Sequence, residues 1–410
     1  MVEVKSTIEH VDGFRVAGVH CGLKKNGKLD FALIVSDVPC TAAGVFTTNT
    51  VKAAPVLFDM ERLKEHNAHI RAVAINSGCA NACTGQQGMY KAWQTARWVA
   101  EKLNCSENEV LLMSTGVIGA QLNMYAMRQG IDIAMPFLGH EWLTAARAIM
   151  TTDTRPKLGS VQVTREDGSR YVIAGMCKGA GMIAPDMATM LSAIITDAGI
   201  SVQLAQRALA AAADQSFNRI VVDGDMSTND TVLLLANGES GAQIETAADF
   251  AEFVEALGAL CRKLAQEIVR DGEGATKFIT ISVQGAPDDA SARQIANAIA
   301  TSPLVKTAFY GNDANWGRII AAAGRSGVAV KPDLMQLWIA PGEANDEKGI
   351  SLQLFAGGIP VEYSEDVATN IIKEKSVSIV LDCGIGSGAA VVWTCDLSHD
   401  YVDINGSYRS

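Results

Sequence analysis

Thr189 closes a glycine-rich run, Gly175-Met-Cys-Lys-Gly-Ala-Gly-Met-Ile-Ala-Pro-Asp-Met-Ala-Thr189, and opens a strand-like one. Glycines and small residues let the backbone bend sharply, and Ala188 leaves the carbonyl before Thr189 sterically open. In that setting the Thr189 hydroxyl can add to the Ala188 carbonyl and shift the peptide bond to an ester. Hydrolysis of the ester would free the Thr189 α-amine. Such an amine titrates near about 7.7–8.0, so at neutral pH it can act as general base for the hydroxyl it carries. The residues alone also allow a plain buried Thr entering a strand. A second segment, Met113-Ser-Thr-Gly-Val-Ile-Gly119, sets a hydroxyl in a glycine-bounded loop at a strand end. Such a loop can aim one backbone amide and one side-chain donor at a single oxyanion, and it is equally compatible with a simple turn.

Other groupings fail on chemistry. Asp223-Gly-Asp-Met-Ser-Thr-Asn-Asp230 begins like a calcium loop, but its sixth position is Thr228 instead of Gly and its twelfth is Leu234 instead of Glu. It reads as a polar turn whose side chains bond backbone amides, dense enough in Asp, Ser, Thr and Asn to support a site. Cys79 and Cys83 have a tolerable zinc spacing, yet neither His66 nor His69 completes a tetrahedral set, so no metal is expected. The histidines, His10, His20, His66, His69, His140 and His399, form no metalloprotease motif, and no serine-hydrolase elbow is present. Gly384, Gly386 and Ala389 fit a dinucleotide fingerprint, but the strand-like Val391–Thr394 follows where a helix should begin.

The elements that must position these residues alternate along the chain. Strand-like runs are Phe31–Ser36, Ile70–Ile75, Val110–Ser114, Ser192–Thr196, Thr231–Ala236, Phe278–Val283, Met335–Ile339, Ser351–Phe355, Ser376–Leu381 and Ala389–Thr394. Helical periodicity marks Met89–Lys102, His140–Ala148, Val202–Ala213, Ala247–Val269, Ala290–Ala300 and Asp366–Lys373. The class predicted is α/β or α+β. The last two strand-like runs, joined by Asp-Cys-Gly-Ile-Gly-Ser-Gly388, read as an antiparallel hairpin.

With 410 residues, 48% of them hydrophobic and 19% charged, the chain has the balance of a fully folded globular protein. A net charge of −11 without a basic cluster argues against nucleic acid as a partner. Met1–Ser6 is polar and leads into no apolar segment, and no run approaches the roughly 18 apolar residues of a membrane span. A cytoplasmic protein is expected, with its nine cysteines as free, mostly buried thiols.

With Thr189 and these loops in view, the sequence closely resembles the glutamate N-acetyltransferase family of arginine biosynthesis, also called ornithine acetyltransferases. The resemblance runs through Ala17-Gly-Val19, Ala42-Ala-Gly-Val-Phe-Thr-Thr-Asn49, Val51-Lys-Ala-Ala-Pro55, Asn76-Ser-Gly78 and Ala80-Asn-Ala-Cys-Thr-Gly85. It continues through Met150-Thr-Thr-Asp-Thr154, Lys178-Gly179 to Met190, Asp223-Gly-Asp225 with Ser227-Thr-Asn-Asp-Thr231, Asn315-Trp-Gly-Arg318, and Asn405 to Ser410. Several independent motifs in one order are more specific than any one of them.

The resemblance implies self-cleavage between Ala188 and Thr189, giving an α chain of residues 1–188 and a β chain of 189–410 that stay assembled as an α2β2 heterotetramer. Thr189 would be the nucleophile, with Thr115 and Gly116 forming the oxyanion hole. Thr151, Lys178, Thr189, Glu273, Asn405 and Ser410 would contact substrate, Lys178 suiting a carboxylate and Glu273 an amine. Without the resemblance, both charges would read as solvated surface groups. The implied fold has stacked sheets flanked by helices, similar to but distinct from N-terminal-nucleophile hydrolases. The implied reaction moves acetyl from N-acetylornithine to glutamate by a ping-pong route, with no cofactor and with acetyl-CoA a co-substrate only in a bifunctional enzyme. An amidohydrolase or aminopeptidase that resolves the acyl-Thr with water is the alternative, and a binding protein with an uncut chain is another. Two positions depart from the family pattern: Cys79 stands where Asn is more usual, and Ser410 where Thr is.

Overall fold

The computed structural model describes residues 2–184, 190–343 and 351–406. Ala188, Thr189 and Ser410 therefore lie outside the described residues. Strands β1 to β6 are Phe14–Val19, Phe31–Phe46, Ile70–Cys79, Val110–Val117, Lys157–Thr164 and Arg170–Lys178. Strands β7 to β11 are Leu191–Thr196, Gly199–Ile200, Ile220–Val221, Thr231–Ala236 and Gln243–Ile244. Strands β12 to β17 are Phe278–Ala286, Gln336–Pro341, Leu352–Ala356, Ile359–Pro360, Ser376–Asp382 and Gly388–Cys395. The class is mixed α/β, with sheets flanked by helices. No helix among the described residues is long and apolar enough to cross a membrane.

The chain divides into two compact units, Met1–Asn218 with Asp225–Ile268, and Arg219–Gly224 with Val269–Ser410. The first unit is built on an eight-stranded sheet, ordered β4-β3-β2-β10-β7-β6-β5, with β1 paired to β2. Its central strands β7 and β10 are buried on both faces, which is why β10 is apolar after Thr231 and β7 is polar only at Ser192 and Thr196. Alternate residues divide between two cores. Ile34, Val73, Ile75, Leu111 and Met113 pack with Trp142, Ala145 and Ala146, while Leu33, Val35, Ala72, Ala74 and Leu112 pack with helices Ala54–His66, Gly85–Leu103 and Met124–Ala134.

Strand β2 runs ten residues beyond the predicted end at Ser36. Its first half pairs with β1 and β3, and its second half pairs with β10, Thr41–Phe46 against Ala236–Thr231. The register breaks between Val35 and Cys40, and Pro39, which lacks an amide to donate, falls within that break.

The second unit carries a seven-stranded sheet, ordered β15-β14-β13-β16-β12-β17-β9. Helices Asp289–Ala300, Pro303–Tyr310, Trp316–Gly324 and Glu365–Ile372 supply Ile295, Ile299, Phe309, Ile319 and Ile372 to its core. Here one expectation is corrected. β16 and β17 are not a hairpin: β12 lies between them, parallel to β16 and antiparallel to β17. Residues 383–387 thus bridge two strand spacings, about 10 Å, across the end of β12. The Cys383 and Ile385 amides donate to the Gln284 and Gly285 carbonyls, each at 2.8 Å. A Cβ on Gly388 would lie 2.1 Å from the Asp288 carbonyl carbon, and one on Gly386 2.3 Å from the Ala286 oxygen. Gly386, one of the glycines that mimic a dinucleotide fingerprint, is there with Gly388 for this close crossing.

Candidate active site

The predicted oxyanion residues sit where two parallel strands slip register. β3 and β4 pair Ser77 with Thr115 and Gly78 with Gly116, after which Cys79 opposes both Thr115 and Val117. Gly116 has φ 130°, and a Cβ there would lie 2.3 Å from the Gly78 carbonyl carbon. Only glycine fits. Thr115 is buried beside it. The slip is held by side chains: Asn76 Nδ2 donates to the Cys79 carbonyl at 2.9 Å, and Ser114 Oγ to Asn76 Oδ1 at 2.6 Å. Asp59, fully buried on helix Ala54–His66, accepts the Leu112 amide at 2.8 Å and so ties that helix to β4. Cys79 is buried with its thiol 3.3 Å from the Ala120 carbonyl, and burial pushes the thiol up, so it is no ready nucleophile.

Lys178, predicted as a surface charge on the residues alone, ends β6 with 2% of its surface exposed. It feels the charges of two buried carboxylates, Asp153 and Asp230. Asp153 organises this corner. One oxygen accepts Lys157 Nζ at 2.7 Å and the Gly179 amide at 2.7 Å, and the other accepts the Thr151 amide at 2.9 Å. Burial would raise the Asp153 carboxyl, but Lys178 and then Lys157 outweigh it and hold the group well below the usual carboxylate range. Lys24 donates to the Met150 carbonyl at 2.7 Å, and burial lowers its ammonium to about 8. Thr151 and Lys178 are thus drawn together through Asp153, which the sequence offered only as a member of the Met150–Thr154 motif.

The polar turn read at 223–230 does bond backbone groups, and it does so at the site. Asp230 Oδ1 accepts the Met190 amide at 3.0 Å, and Asn229 Nδ2 donates to the Ser114 carbonyl at 2.8 Å. The sequence offered both residues only as members of that turn and of the Ser227–Thr231 motif; the signal was the density of polar groups just before β10, which is apolar after Thr231.

In the second unit, Glu273 is buried in the turn before β12 and accepts Asn405 Nδ2 at 2.8 Å. Asn405 lies on helix His399–Gly406, and its amide also reaches the Tyr401 carbonyl at 3.0 Å. The turn is pinned by Asp396, which accepts the Thr276 and Lys277 amides at 2.8 and 2.9 Å, and by Ser398 Oγ, 2.6 Å from the Gly274 carbonyl. Glu273 and Asn405 are therefore one hydrogen-bonded pair. Thr115, Gly116, Thr151 and Lys178 belong to the first unit, and Glu273 and Asn405 to the second. Ala188, Thr189 and Ser410 lie outside the described residues. All nine cysteines are free, and among the described residues no three His, Cys, Asp or Glu side chains cluster as a metal site.

Comparison with known proteins shows which family the sequence resembles. The sequence model of the ArgJ family matches residues 15–410. The arginine biosynthesis bifunctional protein ArgJ of Thermotoga neapolitana is 50% identical over 400 residues, covering 97% of this chain and 99% of its own length. Its counterpart in Geobacter sulfurreducens is 49% identical over 404 residues, covering 98% of this chain and all of its own. Among solved structures, the ornithine acetyltransferase of Mycobacterium tuberculosis complexed with ornithine is 38% identical with a TM-score of 0.40, covering 45% of this chain and 98% of that one. A match spanning nearly the whole chain, at half identity to full-length relatives, makes this chain a member of the ArgJ family.

Proposed function

We propose that this ArgJ-family enzyme transfers the acetyl group of N2-acetyl-L-ornithine to L-glutamate through an acetyl-Thr189 intermediate, yielding L-ornithine and N-acetyl-L-glutamate for arginine biosynthesis. The observation that carries the reading is the glycine-only register slip at Gly116 beside the buried Thr115, in a chain that the ArgJ family model matches over residues 15–410. A covalent carrier suits exchange between two amines, because donor and acceptor can use one pocket in turn.

The Thr189 hydroxyl attacks the acetyl carbonyl and gives its proton to the Thr189 α-amine. The Thr115 hydroxyl and Gly116 amide donate to the tetrahedral oxyanion. The carbon–nitrogen bond breaks, the proton passes to the departing amine, and ornithine leaves. The amine of glutamate then attacks the ester and releases Thr189. Lys178 pairs with a substrate carboxylate and Glu273 with an amine, while Thr151, Asn405 and Ser410 complete the substrate contacts. No cofactor takes part, and acetyl-CoA would enter only as an alternative donor. The α-amine arises from self-cleavage at Ala188–Thr189, leaving chains 1–188 and 189–410 assembled as a cytoplasmic α2β2 heterotetramer.

The test uses N-acetylornithine carrying ¹³C in its acetyl group. Labelled N-acetylglutamate and free ornithine should form one for one, and only when glutamate is present. Labelled acetate as the main product without glutamate would make the protein an amidohydrolase instead.

A further inference from the structure

We propose that Asn229 and Asp230 are positioning residues that set the separation between the nucleophile Thr189 and the oxyanion donors Thr115 and Gly116. The inference rests on the acetyl-Thr189 reading above. Two adjacent residues each grip the neighbour of one reacting partner. Asp230 Oδ1 accepts the amide of Met190, the residue after Thr189, at 3.0 Å. Asn229 Nδ2 donates to the carbonyl of Ser114, the residue before Thr115, at 2.8 Å, and to the Ala80 carbonyl at 2.7 Å.

The grip is itself held by neighbouring side chains and backbone. Thr228 Oγ1 and Asn229 Oδ1 lie 2.6 Å apart, so the hydroxyl fixes which end of the amide faces Ser114. Ser227 Oγ accepts the Asn229 amide at 3.0 Å. The Asp230 carbonyl accepts the Thr47 amide at 2.9 Å, and the Thr231 amide donates to the Met190 carbonyl at 3.2 Å. Beyond this point β10 and β7 run parallel in unbroken register, from Thr231 opposite Leu191 to Ala236 opposite Thr196. Asp230 is fully buried and Asn229 nearly so. Burial pushes the Asp230 carboxyl up, opposed first by the Met190 amide and then by Lys178.

The Met190 amide nitrogen is covalently bonded to the carbonyl carbon of the residue before it, so a restraint on that amide is a restraint on the nucleophile's own peptide group. A misplacement of about 1 Å at a reacting pair can cost about 100-fold in rate. A chain seeking stability alone would do better with apolar side chains here, as it has from Val232 to Ala236. Holding the nucleophile's neighbour and the oxyanion strand from adjacent residues is the gain that a polar pair offers.

The experiment compares wild type, Asn229→Ala, Asp230→Ala and Asp230→Asn by mass spectrometry for cleavage, by kcat and KM for acetyl transfer, and by melting temperature. Asn229→Ala and Asp230→Ala should lower kcat about 100-fold, with KM for N-acetylornithine within about threefold of wild type. Asp230→Asn keeps an oxygen for the Met190 amide and should retain kcat within about tenfold. If Asp230→Ala does not fold, Asn229→Ala and Asp230→Asn decide. Wild-type kcat in Asn229→Ala, a change in KM alone, or an Asp230→Asn enzyme that is folded and as slow as expected for Asp230→Ala would each overturn the inference. A wild-type protein that transfers no acetyl group would instead overturn the reading on which it rests.

Discussion

Thr115 and Gly116 have different duties at the same register slip in the function proposed. Gly116 holds a backbone that no other residue can follow, whereas the Thr115 hydroxyl would supply a donor. Thr115→Ala should therefore lower kcat by about 100- to 1,000-fold, the usual effect of losing one oxyanion donor, while the melting temperature stays close to wild type. An equal loss of stability and rate would assign Thr115 to the core. Asp153 is different, since it neutralises Lys157, whose side chain is wholly buried, and orders the amides of Thr151 and Gly179. Asp153→Ala removes the carboxylate 2.7 Å from that buried ammonium and should cost about 3–5 kcal/mol in denaturant unfolding. Its carboxyl titrates lower in the folded state than the unfolded value of about 3.9. The stability it adds is fully present above that unfolded value and is lost as pH falls toward the folded one. The gap between wild type and Asp153→Ala should thus be constant near neutrality and shrink below about pH 4. The burial of Lys178 was not legible in the sequence, because the carboxylate that makes it tolerable lies 25 residues earlier and is joined to it only by folding.

At the scale of elements, strong local patterns were legible and non-local pairings were not. Thr231–Ala236 is a strand from its first predicted residue to its last, and the helix read from Val202 to Ala213 ends one residue later. The helix Ala54–His66 escaped periodicity because its buried face includes Asp59 and Arg62, the latter stacked on Phe58 and Trp93 at 4.8 and 4.1 Å. Helix Met124–Ala134 carries Gly130 on its buried face, which weakens the same signal. The supposed hairpin of β16 and β17 failed for a related reason. Two strand-like runs with a short glycine linker look adjacent, and only the insertion of β12, nearly a hundred residues earlier, separates them. Gly388→Ala should destabilise by about 1–3 kcal/mol, since its Cβ would meet Asp288 backbone. Gly324→Ala, at the end of helix Trp316–Gly324 with open space around it, should be neutral or raise stability by up to about 1 kcal/mol. The pair is read by melting temperature, and a tolerated Gly388→Ala would mean the crossing is looser than described.

At the scale of the molecule, the proposed cut does not follow the compact units. The division falls after Asn218 and Ile268, while residues on both sides of 188 build the first unit. In its sheet, β7 and β10 from beyond the cut lie between β2 and β6 from before it, with every residue of both strands buried. Separating chains 1–188 and 189–410 would strip both edges of that pair and the face where Ala193, Ile195, Leu233 and Leu235 pack with Ile34 and Trp142. The two should co-elute under native conditions and part only in denaturant; separation in plain buffer would count against the assembly proposed. The family and mixed α/β class could be read from ordered motifs and alternating patterns. How Thr151, Lys178 and Met190 are each held by buried acids could not, because those contacts join residues distant in sequence.

Whether Thr189 becomes a free N-terminal nucleophile is read from the denaturing intact mass of the purified protein, with N-terminal sequencing of each species. Two chains are expected, one of them beginning Thr189-Met190-Leu191. A single uncut chain of 43.4 kDa in a preparation that still exchanges acetyl groups would contradict it.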